Sequence, residues 1–207
     1  LQLYREDHID GVPFTADDVV FSVQLQMDVE PLGAHYTYKE WVDRVEKVDD
    51  FTVLFYLKKA NPRFAMERFA APTCGYDMIV PKHIWEGVED PLTFKNFDLE
   101  AGLPLGTGPY ILYRVTANDT IWVRNDDWWG AKVGLAALPA PKKIVLTYLG
   151  TEEVRVATAI DNGLDGLEDI TLSSFEALLA GNANWRAFHA ELPYTWPDPC
   201  ARSLSLN

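Results

Sequence analysis

The chain has 207 residues, with 18 Lys and Arg against 31 Asp and Glu and a formal charge of −13. That charge repels nucleic-acid phosphates and anionic lipid, which argues against both as general partners. Apolar residues make up 48% and charged residues 24%, the range of a globular chain rather than a disordered one or a coiled coil.

The length fits one or two domains. No run approaches the roughly 18 consecutive apolar residues of a membrane span. Two cysteines, Cys74 and Cys200, are too few for a cysteine-rich zinc site or a disulfide scaffold, and they fit either one disulfide or two thiols. The first residues, LQLYREDH, read as the tail of a strand. The last, ARSLSLN, alternate like a strand with no turn after it. Both ends read as interrupted, so a fragment of a longer protein is expected.

Thr15-Ala16-Asp17-Asp18 opens the clearest helix. Thr15 can accept the Asp18 backbone N–H, and the two carboxylates sit at the positive end of the helix dipole. Val19, Val20, Val23 and Met27 follow at helical spacing, and Pro31 and Gly33 end the helix. A hairpin is predicted next. Its strands are WVDRVEKVDD, with Trp41, Val42, Val45 and Val48 alternating with charges, and FTVLFYLKK, with Phe51, Val53, Phe55 and Leu57 on one face; Asp49-Asp50 makes the turn. Asn61 and Pro62 start a short helix. Residues 72–108 are rich in Pro and Gly, with one helical turn at Pro81–Trp85, and a domain boundary is placed near residue 105.

A second hairpin follows, PYILYRVT and TIWVRN around Ala117-Asn118-Asp119. KKIVLTYL reads as a central strand. TEEVRVATAIDNG reads as a helix capped by Thr151, and Leu172–Leu179 as another, capped by Thr171 or Ser173. Trp185–Phe188 and Ser203–Leu206 read as strands. The order predicts a mixed α/β layer with a right-handed crossover.

Chemistry-bearing motifs are few. Gly106-Thr107-Gly108-Pro109 lacks the lysine of a phosphate loop and the third glycine of a dinucleotide loop. There is no G-x-S-x-G elbow. The histidines 8, 35, 83 and 189 show no i, i+4 pair. Glu6, Asp7, His8 and Asp10 form a polar cluster whose donors suit a cation, with a solvated turn the favoured reading. Acidic pairs at 17–18, 49–50 and 126–127 fall at a helix start and in turns, the usual structural places for Asp. No catalytic residue, metal or cofactor is expected. Aromatic residues are abundant, with 7 Trp, 9 Tyr and 10 Phe, and such rings build cores and also stacking platforms for sugars and peptides.

Six segments in order resemble one family: Asp10–Ser22 (DGVPFTADDVVFS), Val48–Val53 (VDDFTV), Ile79–Trp85 (IVPKHIW), Gly106–Tyr110 (GTGPY), Arg124–Gly130 (RNDDWWG) and Asn162–Asp165 (NGLD). Trp128 stands where Tyr is frequent, and Gly163 where an acid is usual. The chain thus resembles the bacterial extracellular solute-binding proteins of family 5, the dipeptide- and oligopeptide-binding components of ABC importers.

The resemblance implies a type II periplasmic-binding-protein fold in part. Residues 1–105 would form the small extra domain and 106–207 part of the first lobe, with the second lobe missing. It implies binding rather than catalysis, with closure of a cleft on the ligand and docking on a membrane permease. It implies a monomer in the periplasm or outside the cell, lipid-anchored in some members. Ligand contacts would fall to Trp196, Tyr194, Tyr36 and His35, with Trp196 foremost. The GTGPY and WWG segments are assigned to folding, the glycines allowing the turn and the rings covering the sheet. Peptide is the expected ligand and a β-linked oligosaccharide the alternative. A secreted peptide or glycoside hydrolase is the reading from another class, and it lacks a placed nucleophile or acid pair.

Overall fold

A computed structural model describes residues 6–69, 78–187 and 189–191 of the chain. Cys74, Cys200, Tyr194, Trp196 and the expected strand at 203–206 lie outside them. Two compact units are present: one takes in the described residues up to Val115 together with Thr120–Val145, the other Thr116–Asp119 and the described residues from Leu146 on. The segment after residue 105 bonds back to the first residues of the same unit, Ile9 N–H donating to the Gly106 carbonyl at 3.1 Å.

In the first unit, β1 (Glu6–Asp7) pairs antiparallel with β2 (Pro13–Phe14) across a tight loop. Helix α1 (Ala16–Asp28) begins at the expected cap. Thr15 Oγ1 accepts the Asp17 N–H at 3.3 Å, while Asp18 Oδ2 accepts the Thr15 N–H at 2.7 Å, so a capping box closes the helix start. Val19, Val23 and Met27 turn inward, each burial stabilising by roughly 1.5–3 kcal/mol against leaving the side chain in water.

Residues 35–41 carry an element absent from the sequence reading, helix α2 (His35–Trp41). Its residue types are mediocre helix formers, and Pro31 and Gly33 precede it. Tertiary bonds hold it instead: Gln26 Oε1 accepts the Ala34 N–H at 3.1 Å, and Tyr38 is buried against α1 and the hairpin. The predicted hairpin forms from β3 (Val42–Asp49) and β4 (Thr52–Leu57), with Trp41 in α2 and the turn at Asp50-Phe51, one residue later than expected. Val42, Val45 and Val53 enter the core, but Val48 is exposed. The register shift between Val42 and Arg44 brings Val45 onto the same face as Val42, and Val48, three residues further on, falls on the opposite face.

Helix α3 (Phe64–Phe69) starts later than Pro62, its entry held by Asn61 Oδ1 accepting the Arg63 N–H at 3.0 Å. Phe55, Phe64 and Phe69 stack in tilted and edge-on pairs. The expected turn at Pro81–Trp85 is α4 (Lys82–Trp85).

Strands β5 (Tyr110–Val115) and β6 (Asp119–Arg124) form the second hairpin, with a bulge between Leu112 and Arg114. Helix α5 (Trp129–Lys132) follows. Strand β7 (Lys143–Thr147) completes the order β5-β6-β7. It was expected to be central, yet it is an edge strand whose every residue is exposed among the described residues.

The second unit is built on α6 (Glu152–Ile160) and α7 (Leu172–Gly181). Thr151 occupies the α6 cap position without a side-chain capping bond. Of the two candidate caps for α7, Thr171 serves, accepting the Ser174 N–H at 3.3 Å. Val156, Ala159 and Leu178 form the core, with Ile160, Phe175 and Trp185 packed on it. Asn182 is buried, and its Nδ2 reaches the carbonyls of Ala159 and Ile160 at 3.2 and 3.0 Å. It thereby supplies a donor to the Ile160 carbonyl at the end of α6 and joins Asn162 N–H and Trp185 Nε1 on the Ala159 carbonyl. A Cβ at position 163 would lie 2.7 Å from Thr158 Cγ2, which is why glycine fits here in place of the usual acid. No strand forms at 185–187, and the expected crossover is not present among the described residues.

Candidate functional site

Two side-chain groups stand out from the packing. The first gathers where β1, α1 and α4 meet. His8 leaves β1 and turns inward, only 5% exposed. This corrects the solvated-turn reading of the Glu6–Asp10 cluster. Phe14 covers the ring edge-on at 5.8 Å and His83 at 5.3 Å. Asp18 faces it, with His8 Nε2 3.8 Å from Asp18 Oδ1. Asp18 Oδ1 also accepts the Lys82 N–H at 2.8 Å, tying α4 to the start of α1. His83 is 28% exposed at its side chain, and its Nε2 lies 3.0 Å from Asp10 Oδ2. Burial pushes the Asp18 carboxyl up, but the His8 ring and the N–H groups of Thr15 and Lys82 pull it down by more, leaving it below the ordinary aspartate range.

The second group joins two of the family-like motifs. Trp128 and Trp129 both donate their indole N–H to one oxygen, the Thr107 carbonyl, at 2.9 and 2.7 Å. Their rings meet edge-on at 5.7 Å. The Trp128 ring passes over Gly130, where a Cβ would sit 2.7 Å or less from three indole carbons. Gly106 and Gly108 have open space around them and no left-handed backbone, so the close approach in this motif pair belongs to Gly130 instead. Gly130→Ala is expected to cost about 1–3 kcal/mol by forcing the indole off the Thr107 carbonyl. Urea unfolding with near-ultraviolet circular dichroism of the tryptophans checks this; an unchanged midpoint and an unchanged spectrum would refute it.

His35 and Tyr36 open α2. The His35 Nδ1 lies 3.0 Å from the Gln26 carbonyl, which fixes Nδ1 as the protonated nitrogen. Tyr36 is 69% exposed; its hydroxyl donates to Glu30 Oε1 at 2.7 Å, which raises the phenol pKa. The two rings meet edge-on at 5.1 Å. The structure brings this pair together. Tyr194 and Trp196 lie outside the described residues. The His8 group was missed because its members are far apart in sequence and only His8 sits among acids; the inward path of His8 has no periodic signal.

The geometry can now be set beside known proteins. Residues 9–201 match the family model described as bacterial extracellular solute-binding proteins, family 5 Middle. The chain is 30% identical over 151 residues to a probable peptide-binding protein, YejA, of Agrobacterium fabrum, covering 70% of this chain and 23% of that protein. It is 29% identical over 160 residues to di/tripeptide-binding protein 2 of Pseudomonas aeruginosa, covering 69% and 27%. Among solved structures, the mannohexaose-bound periplasmic oligopeptide-binding protein of Thermotoga maritima shares 27% identity at a TM-score of 0.78, over 95% of this chain and 34% of that one. The chain thus spans about a quarter to a third of the length of these relatives, and its mixed α/β fold is a partial type II periplasmic-binding-protein fold. With the family match running from residue 9 to 201, this chain belongs to the bacterial extracellular solute-binding proteins of family 5.

Proposed function

We propose that the whole protein is the substrate-binding component of an ABC-type importer, capturing dipeptides or oligopeptides and delivering them to a membrane permease. One observation carries this reading: the family match spans nearly the entire sequence, and relatives from two bacteria are named for peptide binding. Within the whole protein, residues 1–105 serve as the small extra domain and 106–207 as part of the first lobe. The protein works as a monomer in the periplasm or outside the cell, with a lipid anchor as one means of retention. Among the described residues, no helix is long and apolar enough to cross a membrane.

The ligand contacts are Trp196, Tyr194, Tyr36 and His35. Both indole N–H groups of Trp128 and Trp129 are engaged by the Thr107 carbonyl, so these rings serve folding and the stacking role passes to Trp196 and Tyr194. An oligosaccharide ligand is the second reading, supported by the mannohexaose held by the Thermotoga relative and by the tryptophan content.

Calorimetry on the full-length protein against peptides of two to nine residues and β-linked oligosaccharides tests both readings. Saturable binding without turnover is expected, and Trp196→Ala is expected to weaken it by roughly thirtyfold, about 2 kcal/mol. Hydrolysis of a panel member with no stable complex would overturn the receptor reading in favour of a hydrolase.

A further inference from the structure

The His8 ring is buried, yet neither of its nitrogens has a hydrogen-bond partner. A buried imidazole left this way is costly, since each unpaired polar atom forfeits its hydration. Its neighbours are the ones a metal ion would need. One nitrogen of His8, one nitrogen of His83 and one oxygen of Asp18 all lie within 4.8 Å of one another. We propose that His8, His83 and Asp18 form a binding site for a divalent transition-metal ion of the zinc type, with Asp10 supporting His83.

The donor set decides the class. Two imidazoles and one carboxylate suit zinc and its first-row neighbours; calcium and magnesium prefer all-oxygen shells. Zinc bonds of about 2.0–2.1 Å in a tetrahedron place ligand atoms roughly 3.3 Å apart. His8 Nε2 and Asp18 Oδ1 stand at 3.8 Å, so a small inward shift seats the ion between them. The partly exposed His83 ring, anchored by Asp10, completes the approach from the solvent side. Asp18 is already held in place by its bonds from Thr15 and Lys82, and Oδ1 keeps a second lone pair for the metal.

Asp10 Oδ2 lies beside His83 Nε2 at 3.0 Å. A carboxylate on the outer nitrogen of a ligating histidine orients the ring and raises its basicity. Two carboxylates also balance the charge of a dication. The ion would link β1, α1 and α4, of which α1 and α4 are joined here by the Lys82 N–H bond to Asp18.

The chain, freed of metal with a chelator that is then removed, is titrated with zinc chloride by calorimetry. In parallel, cobalt chloride is added while visible absorption is recorded. Expected results are one equivalent of zinc per chain, a rise in the thermal unfolding midpoint, and the intense visible bands of tetrahedral cobalt. His8→Phe and His83→Gln are each expected to weaken binding at least tenfold and abolish the cobalt bands. His8→Phe fills its pocket with a ring that needs no partner, so the metal-free variant is expected to unfold at or above the wild-type midpoint. His83→Gln changes a partly exposed residue and carries the test alone if His8→Phe misfolds. No zinc uptake, or uptake that survives His83→Gln unchanged, would overturn the proposal.

Discussion

Tyr38→Ala is expected to destabilise the chain by about 3–5 kcal/mol, the cost of emptying the space of a buried aromatic ring. Tyr38 is the largest fully buried side chain described, at 1% exposure. It sits on the short helix α2 but packs into the core shared by α1, the β3–β4 hairpin and α3. Phe64 meets its ring edge-on at 6.5 Å. Removing the ring leaves a cavity lined by valines and Phe64, and α2 has little intrinsic helix preference to hold it once that anchor is lost. Tyr38→Phe keeps the ring and is expected to retain most of the stability. Urea unfolding of both variants measures the difference; a loss below about 1 kcal/mol for Tyr38→Ala would mean that α2 is held by its hydrogen bonds and not by this ring.

Asp18→Ala is expected to cost about 2–4 kcal/mol at pH 7, the loss of two charged hydrogen bonds in a buried junction, one of them the return bond of the capping box. The Thr15 N–H and the Lys82 N–H would both lose their acceptor. The pH dependence follows from the lowered carboxyl. A group whose folded pKa lies below its ordinary value of 3.8 stabilises fully above that value and loses its contribution as pH falls through the folded one. The gap between wild type and Asp18→Ala is therefore expected to be constant from neutral pH down to about 5 and to narrow below 4. Urea midpoints at a series of pH values read this directly. A gap that stays the same down to the acid end would show that shape, and not charge, accounts for the role of Asp18.

The same residue shows what was legible in the sequence. The Thr15–Asp18 cap was read from spacing alone, because a capping box is local: donor and acceptor lie three residues apart whatever the rest of the chain does. The Lys82 N–H bond to Asp18 and the approach of His8 to 3.8 Å were not legible, since they join segments 64 and 10 residues away. His8 illustrates the opposite error. Its acidic neighbours mark a turn by composition, and only the approach of Phe14, His83 and α1 buries it. Strand β7 was read as central because its residues are apolar and β-branched; its edge position reflects which strands lie beside it, and pattern does not carry that information. The tryptophans of the RNDDWWG segment were assigned to folding, and their shared bond to Thr107 gives that assignment its geometry.

The sequence by itself determined the family, through six short segments in the right order, and it determined the elements whose signals are local: the cap of α1, the place of α7 and the existence of both hairpins. Tertiary structure alone decided the existence of α2, the burial of His8, and the meeting of Trp128 and Trp129 at a single carbonyl. The physical reason is one of range. Caps and turns are settled by bonds between near neighbours, whereas burial and side-chain convergence depend on surfaces supplied by distant parts of the chain.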